Sequence, residues 1–143
     1  GMLSIAKNLG YEIEGVEPGK QAAEYVSQKL DLKIHPTILS QAQLKHLKYG
    51  KISYFHVLEH IPNPLVELEV VKKYLHDQGI LIIEVPDFGA LSWKLMGRKH
   101  RHFLSHHLFY FTRTSIRKLL RHGVRNYINT ECSLFCVFIV VHS

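Results

Sequence analysis

Apolar and polar positions repeat along this chain with two different periods, and the changes from one period to the other mark out a series of short elements. Met2, Ile5, Ala6 and Leu9 fall on one side of a helical stretch, with Gly10 placed to cap it. Tyr11 to Glu17 reads as a strand closed by Pro18-Gly19. Ala22, Val26 and Leu30 then recur at helical spacing with Ala23 beside them, and Leu32 to His35 forms a second short strand. Residues 38–48 follow neither period. Ile52 to Leu58 is an apolar, β-rich run, and Asn63-Pro64 supplies a cap and a first turn. Leu65, Leu68, Val71 and Leu75 stripe the helix that follows, which is expected to end near Gly79. Ile80 to Val85 is apolar at almost every position, the pattern of a strand buried on both faces of a parallel sheet. A last helix over 112–122 turns Ile116, Leu119 and Leu120 inward and Arg113, Arg117 and Arg121 outward, and Gly123 stops it. Two strand-like stretches, 124–131 and 134–142, complete the series.

Strands and helices in alternation predict an α/β fold, Rossmann-like, with a mostly parallel sheet and helices on both faces. A length of 143 residues suits a single domain over 2–143, with Gly1 read as a tag remnant. At 46% hydrophobic and 21% charged residues the composition excludes a disordered chain. No apolar run approaches the roughly 20 residues of a membrane helix, and no signal peptide opens the chain, so a reducing, cytoplasmic setting is expected. Cys132 and Cys136, if on one strand, would share a face roughly 13 Å apart, too far for a disulfide, and read as core residues.

Charge divides the chain. Residues 1–93 carry nine basic and eleven acidic side chains, whereas 94–143 carry nine basic ones against Glu131 alone. The C-terminal third is therefore the expected seat of an anionic substrate or partner. Its densest part is Arg98-Lys99-His100-Arg101-His102 with His106-His107, interleaved with Trp93, Phe103, Phe109 and Tyr110. That composition fits a pocket wall for an anionic small molecule, an RNA contact or a solvated loop.

Ligands of open α/β sheets bind beyond the carboxyl ends of the strands, and three such ends carry chemistry here. Glu17-Pro18-Gly19 places a carboxylate where it can accept the two hydroxyls of a ribose. His56 to Pro64 adds His56, Glu59 and His60, and Glu84-Val85-Pro86-Asp87 closes the most apolar strand. His56-x-x-Glu59-His60 also matches a zinc-peptidase pattern, but that motif needs a helix, and here a β-rich run precedes it and Pro62 follows. No metal ligand set is predicted.

Glu17-Pro18, then Val57-Leu58-Glu59-His60-Ile61-Pro62-Asn63-Pro64, then Gly79 to Asp87, resemble class I S-adenosylmethionine-dependent methyltransferases. The nearest group is the small-molecule enzymes that read LEHI-x-(D/N)-P and later GG-x-L-x-(I/V)-x-x-P-(N/D). His107-Leu108-Phe109-Tyr110-Phe111-Thr112 is similar to that group's H-L-x-x-F-(S/T) segment. The resemblance implies a Rossmann-like fold, S-adenosylmethionine as cofactor and a small-molecule methyl acceptor, with an anionic acceptor favoured by the basic segment. It further implies that Glu17 takes the ribose hydroxyls, that Pro18 and Gly19 border the adenine, and that His56 and Leu58 flank the methionine end. His60 and His107 would face the acceptor as base candidates.

The family's pattern starts with a strand and a glycine-rich loop, and no G-x-G-x-G occurs in this chain. The expectation is therefore a domain lacking the central strand, with a sheet gap that a homodimer or a partner chain fills. Alone, such a chain would bind cofactor orders of magnitude more weakly. The alternatives are a non-catalytic dimerising or partner-dependent module and, behind it, a basic RNA-binding domain.

Overall fold

A computed structural model describes residues 2–45, 48–90, 93 and 107–123, together with the backbone of 128–132 and 136–142. Arg98 to His102, Phe103, His106 and Gly1 lie outside the described residues. The chain divides into two compact units, Gly1–His46 and Leu47–Ser143.

The first unit runs α1 (Met2–Asn8), β1 (Glu14–Val16), α2 (Lys20–Leu30), β2 (Lys33–His35) and a 3-10 turn at Leu39–Gln41. Gly10 has a φ of 80°, the left-handed cap conformation expected of it. β1 and β2 pair in parallel, with Gly15 opposite Ile34. β1 is shorter than the seven residues expected of it because its partner β2 supplies only three ladder positions. Of the apolar stripe on α2 only Ala23 is fully buried; Val26 and Leu30 are half-buried and Ala22 is exposed. A two-stranded sheet is too narrow to cover a whole helix face.

The second unit runs β3 (Tyr49–Phe55), a 3-10 turn at Leu58–His60, α3 (Pro64–Tyr74), β4 (Leu75–Pro86), α4 (Arg113–Gly123), β5 (Ile128–Cys132) and β6 (Cys136–His142). The strand order is β3-β4-β6-β5. β3 and β4 are parallel and joined through α3, while β6 runs antiparallel to both β4 and β5. The architecture is thus α/β and Rossmann-like, with an antiparallel edge added to the parallel pair.

Four expectations need correcting here. α3 stops at Tyr74 rather than near Gly79, because Leu75 turns extended and its N–H bonds to the Val71 carbonyl. Leu75 is buried as the first residue of β4, and the register slips between Tyr49↔Leu75 and Lys51↔Ile80 to absorb His76 to Gly79. Leu65, expected in the core stripe, is exposed, while Leu68 and Val71 are sealed. β4 is not buried equally on both faces: Leu81, Ile83 and Val85 are sealed, whereas Ile80, Ile82 and Glu84 are only half-buried. Cys132 and Cys136 also end and begin two different strands, with Cys132 opposite Val137, so the one-strand spacing does not apply.

α3 is tied down at its start and along its length. The Asn63 side chain accepts a hydrogen bond from Val66 N at 3.3 Å, the expected cap. Within the helix, Glu67 Oε1 accepts one from the buried Tyr54 hydroxyl of β3 at 2.7 Å. Burial, reinforced by Glu67, pushes that phenol far above its ordinary pKa. On its other side α3 meets α4 so closely that a Cβ on Gly123 would lie 2.9 Å from the Leu68 Cβ. Among the described residues no helix is long and apolar enough to cross a membrane.

Candidate functional site

Each unit presents chemistry at the carboxyl end of a strand. In the first, Glu17 follows β1, and its N–H continues the ladder by bonding to the His35 carbonyl at 3.0 Å. Its Oε1 accepts a hydrogen bond from Gly19 N at 2.8 Å, which fixes the carboxylate in the loop that opens α2. Glu17 is half-buried; Pro18 and Gly19 are exposed. A Cβ on Gly19 would stand only 3.0 Å from that Oε1, so glycine suits the approach. Behind this loop Glu14, nearly enclosed, faces Lys33 Nζ at 3.2 Å and His35 Nε2 at 3.6 Å. The sequence reading had given Glu14 no role.

In the second unit the end of β3 turns sharply at His56, which adopts a φ of 54°. Its N–H bonds to the Glu84 carbonyl at 2.9 Å, so β3 and β4 stay paired through the turn. The imidazole then stands between two carboxylates, with Nε2 3.2 Å from Glu84 Oε1 and Nδ1 3.5 Å from Glu59 Oε1. Leu58 and Glu59 are sealed in the 3-10 turn that follows, and His60 is half-buried.

The same turn recruits a distant segment. The Glu59 carbonyl accepts hydrogen bonds from Leu108 N at 2.9 Å and Phe109 N at 3.1 Å. That pair of hydrogen bonds to one oxygen brings His107 against His60, with ring centroids 4.7 Å apart and planes at 69°. Side-chain donor atoms of Glu59, His60 and His107 all lie within 4.8 Å of one another. His107 also faces Tyr110 at 6.0 Å, Tyr110 meets Phe88 at 4.4 Å, and Phe88 meets Trp93 at 3.8 Å. The rings form a continuous aromatic chain beyond the ends of β3 and β4.

Asp87, just past β4, holds this chain in place. Its Oδ1 accepts a hydrogen bond from Gly89 N at 2.8 Å and its Oδ2 one from Arg113 Nε at 3.0 Å. Asp87 is sealed, so the ion pair fastens the start of α4 to the end of β4. Phe88 N adds a bond to the Phe111 carbonyl at 2.9 Å.

Of the residues named from sequence, His56, Leu58, His60 and His107 are brought together in the second unit. Glu17, Pro18 and Gly19 form the loop of the first. Leu58 lies wholly in the core, so its side chain is packing. Sequence reasoning named Glu59 and Asp87 at strand ends without giving either a role in the site, and it did not pair Asp87 with Arg113. The signal for Glu59 was the His56-x-x-Glu59-His60 spacing, which was discarded for want of a helix.

A family model described as a methyltransferase domain matches residues 1–123. Among solved structures, a SAM-dependent methyltransferase from Thermotoga maritima, described as a possible histamine N-methyltransferase, is similar at 17% identity with a TM-score of 0.72. The match covers 96% of this chain and 76% of that one. A SAM-dependent methyltransferase from Archaeoglobus fulgidus gives a TM-score of 0.75 at 12% identity over 99% of this chain and 80% of its own. The Burkholderia thailandensis 1,6-didemethyltoxoflavin-N1-methyltransferase, solved with 1,6-didemethyltoxoflavin and S-adenosylhomocysteine, gives 0.65 at 14% identity over 99% of this chain and 65% of that chain. At these identities the likeness is one of fold. No curated protein matches the sequence at a significant level.

Proposed function

The chain belongs to the methyltransferase-domain family, and on that premise we propose that it moves a methyl group from S-adenosylmethionine to a small molecule. The observation that carries this reading is the meeting of His60 and His107 beyond the ends of β3 and β4, where α/β sheets bind their ligands. The loop after β1 fits the cofactor's ribose: Glu17 offers an acceptor at a strand end, and Gly19 N holds it oriented. Glu17, Pro18 and Gly19 would hold the nucleoside, and His56 with the Leu58 backbone the methionine end. When bound, the cofactor supplies a methyl group already activated on a sulfonium.

The protein's own work is then positioning and proton handling. Either His60 or His107 takes the proton from an acceptor hydroxyl or nitrogen, a task suited to imidazole near neutral pH. The aromatic chain from His107 to Trp93 supplies an apolar wall that orients a small acceptor and excludes water. An anionic acceptor is favoured by the basic C-terminal third.

Calorimetric titration with S-adenosylhomocysteine tests this. Binding in the range of about 1–100 µM, abolished by Glu17→Ala, is expected; no heat at millimolar ligand would sink the reading. A second reading, a module that works only when paired, is favoured by one observation. β1 and β3 each present an edge that no described strand covers. A strand from a second copy or another chain would close such an edge, and a chain that sediments as a dimer without binding cofactor would support that role.

A further inference from the structure

α4 (Arg113–Gly123) divides its circumference between two kinds of residue. Ile116, Leu120 and Gly123 are buried, Gly123 against Leu68 of α3. Arg113, Arg117, Lys118, Arg121 and His122 are all exposed, and at about 100° per residue they occupy the opposite half. No acidic residue lies on the helix. The fold itself does not need this much positive charge. Arg121 and His122, in the last turn, suit the negative end of the helix dipole. Arg113 is fastened through Nε to the sealed Asp87 at 3.0 Å. Arg117 and Lys118 stand mid-helix, where neither reason applies. Arg117 has Arg113 four residues before it and Arg121 four after, and like charges at that spacing repel. Among the described residues no acidic side chain pairs with Lys118 or Arg121.

We propose that the exposed face of α4 binds the sugar-phosphate backbone of a nucleic acid. Lys and Arg clustered along one face of a helix are the electrostatic footprint of such binding. Arg113, Arg117 and Arg121 advance about 6 Å per step along the helix axis, so the face offers a row of charges rather than a seat for one anion. The planar forks of three arginines suit phosphate oxygens. A bound polyanion also relieves the repulsion between Arg117 and its two arginine neighbours.

What the face lacks decides against other anionic partners. No large apolar side chain of α4 is exposed, whereas a helix that lies on a lipid surface buries Leu, Phe or Trp in it. An acidic protein would likewise need an apolar or aromatic centre to its interface. A phosphate backbone is held by charge alone. The helix is also well anchored for the task. Thr112 N donates to Ser115 Oγ at 2.8 Å and Ser115 N to Thr112 Oγ1 at 3.2 Å, which closes its first turn, and the Asp87–Arg113 pair fixes that turn to the end of β4. This surface is independent of the methyl-transfer reading, since it contains none of the residues assigned to cofactor or acceptor.

The test titrates the whole chain into a short fluorescein-labelled oligouridine and reads anisotropy over a range of salt concentrations. Affinity should fall with salt at a log–log slope of about −3, roughly −0.7 for each of four contacted phosphates. A variant combining Arg117→Gln, Lys118→Gln and Arg121→Gln should bind at least about tenfold more weakly, with a slope near about −1. Lys20→Gln, Lys72→Gln and Lys73→Gln, at exposed positions of α2 and α3, remove the same charge elsewhere, and together should leave binding as in the parent. If the α4 triple variant fails to fold, Lys118→Gln alone should reduce the slope by about 0.7. An oligothymidine of equal length tells which backbone is preferred, and binding of either supports the site. Equal losses in the two triple variants, an unchanged slope in the α4 variants, competition by polyglutamate as strong as by RNA, or no binding of either oligonucleotide at the lowest salt each overturns it.

Discussion

The chain contains the same motif twice, a parallel strand pair with a helix between, and the two copies are built to different standards. In β1-α2-β2 the strands are three residues long, the helix buries Ala23 alone, and its N-cap Gly19 offers no side-chain cap. In β3-α3-β4 the strands have seven and twelve residues, Leu68 and Val71 are sealed, and Asn63 caps the helix. The first copy displays a carboxylate on an open loop. The second keeps a carboxylate, Glu59, away from water, which demands a stiff and well-covered surround. The first copy encloses a carboxylate too, Glu14, but there Lys33 and His35 stand against it, so its charge is met by neighbours rather than by a thicker scaffold.

Core truncation should separate the two copies most sharply. Leu68→Ala, in the sealed seam between α3 and α4, is expected to cost about 3 kcal/mol. Ile34→Ala, half-buried on β2, is expected to cost about 1 kcal/mol. Urea denaturation of both variants checks this, and equal losses would mean that the first copy is as tightly packed as the second.

Adding a single methyl sharpens the same contrast at lower cost. Gly123→Ala must push its Cβ against Leu68 Cβ and Cδ1, at 2.9 and 2.6 Å, and overpacking of this kind costs about 2 kcal/mol. Gly15→Ala meets only the far end of the Ile34 side chain, which can swing away, so the midpoint should scarcely move. A larger loss at Gly15 than at Gly123 would reverse the ranking.

The smallest effect lies in the link between β3 and α3. Tyr54→Phe deletes the bond to Glu67 and should cost about 1 kcal/mol at neutral pH. Its sign changes with alkali. An unfolded tyrosine ionises near pH 10, while the folded Tyr54 stays protonated well above that, so the unfolded state binds fewer protons there. Wild-type stability therefore falls as pH rises past 10, and Tyr54→Phe should lose this part of the fall. Parallel pH curves for the two proteins would show the phenol to be less enclosed than the fold implies.

Much of the fold was legible because its elements are written locally. The Asn63-Pro64 start of α3, the Arg113–Gly123 helix and the apolar run of β4 each follow from a repeat or a cap within a dozen residues. The boundary at Tyr74 was missed because Leu75 satisfies a helical stripe and a strand alternation equally well. What decided between them was the pairing of β4 with β3, which no window on α3 contains. Burial on one face of β4 only, and the exposure of Leu65, were likewise settled by which neighbours pack where.

The site shows the same division. Strand ends in the sequence singled out Glu17, His56 and His60, the family resemblance added His107, and periodicity indicated the α/β architecture that would carry them. Only the tertiary structure seals Glu59, joins His60 to His107 through one carbonyl oxygen, and fastens Asp87 to Arg113. The physical reason is range. Faces and caps are set by neighbours three or four residues away, whereas burial and pairing depend on segments that meet only once the chain has closed on itself.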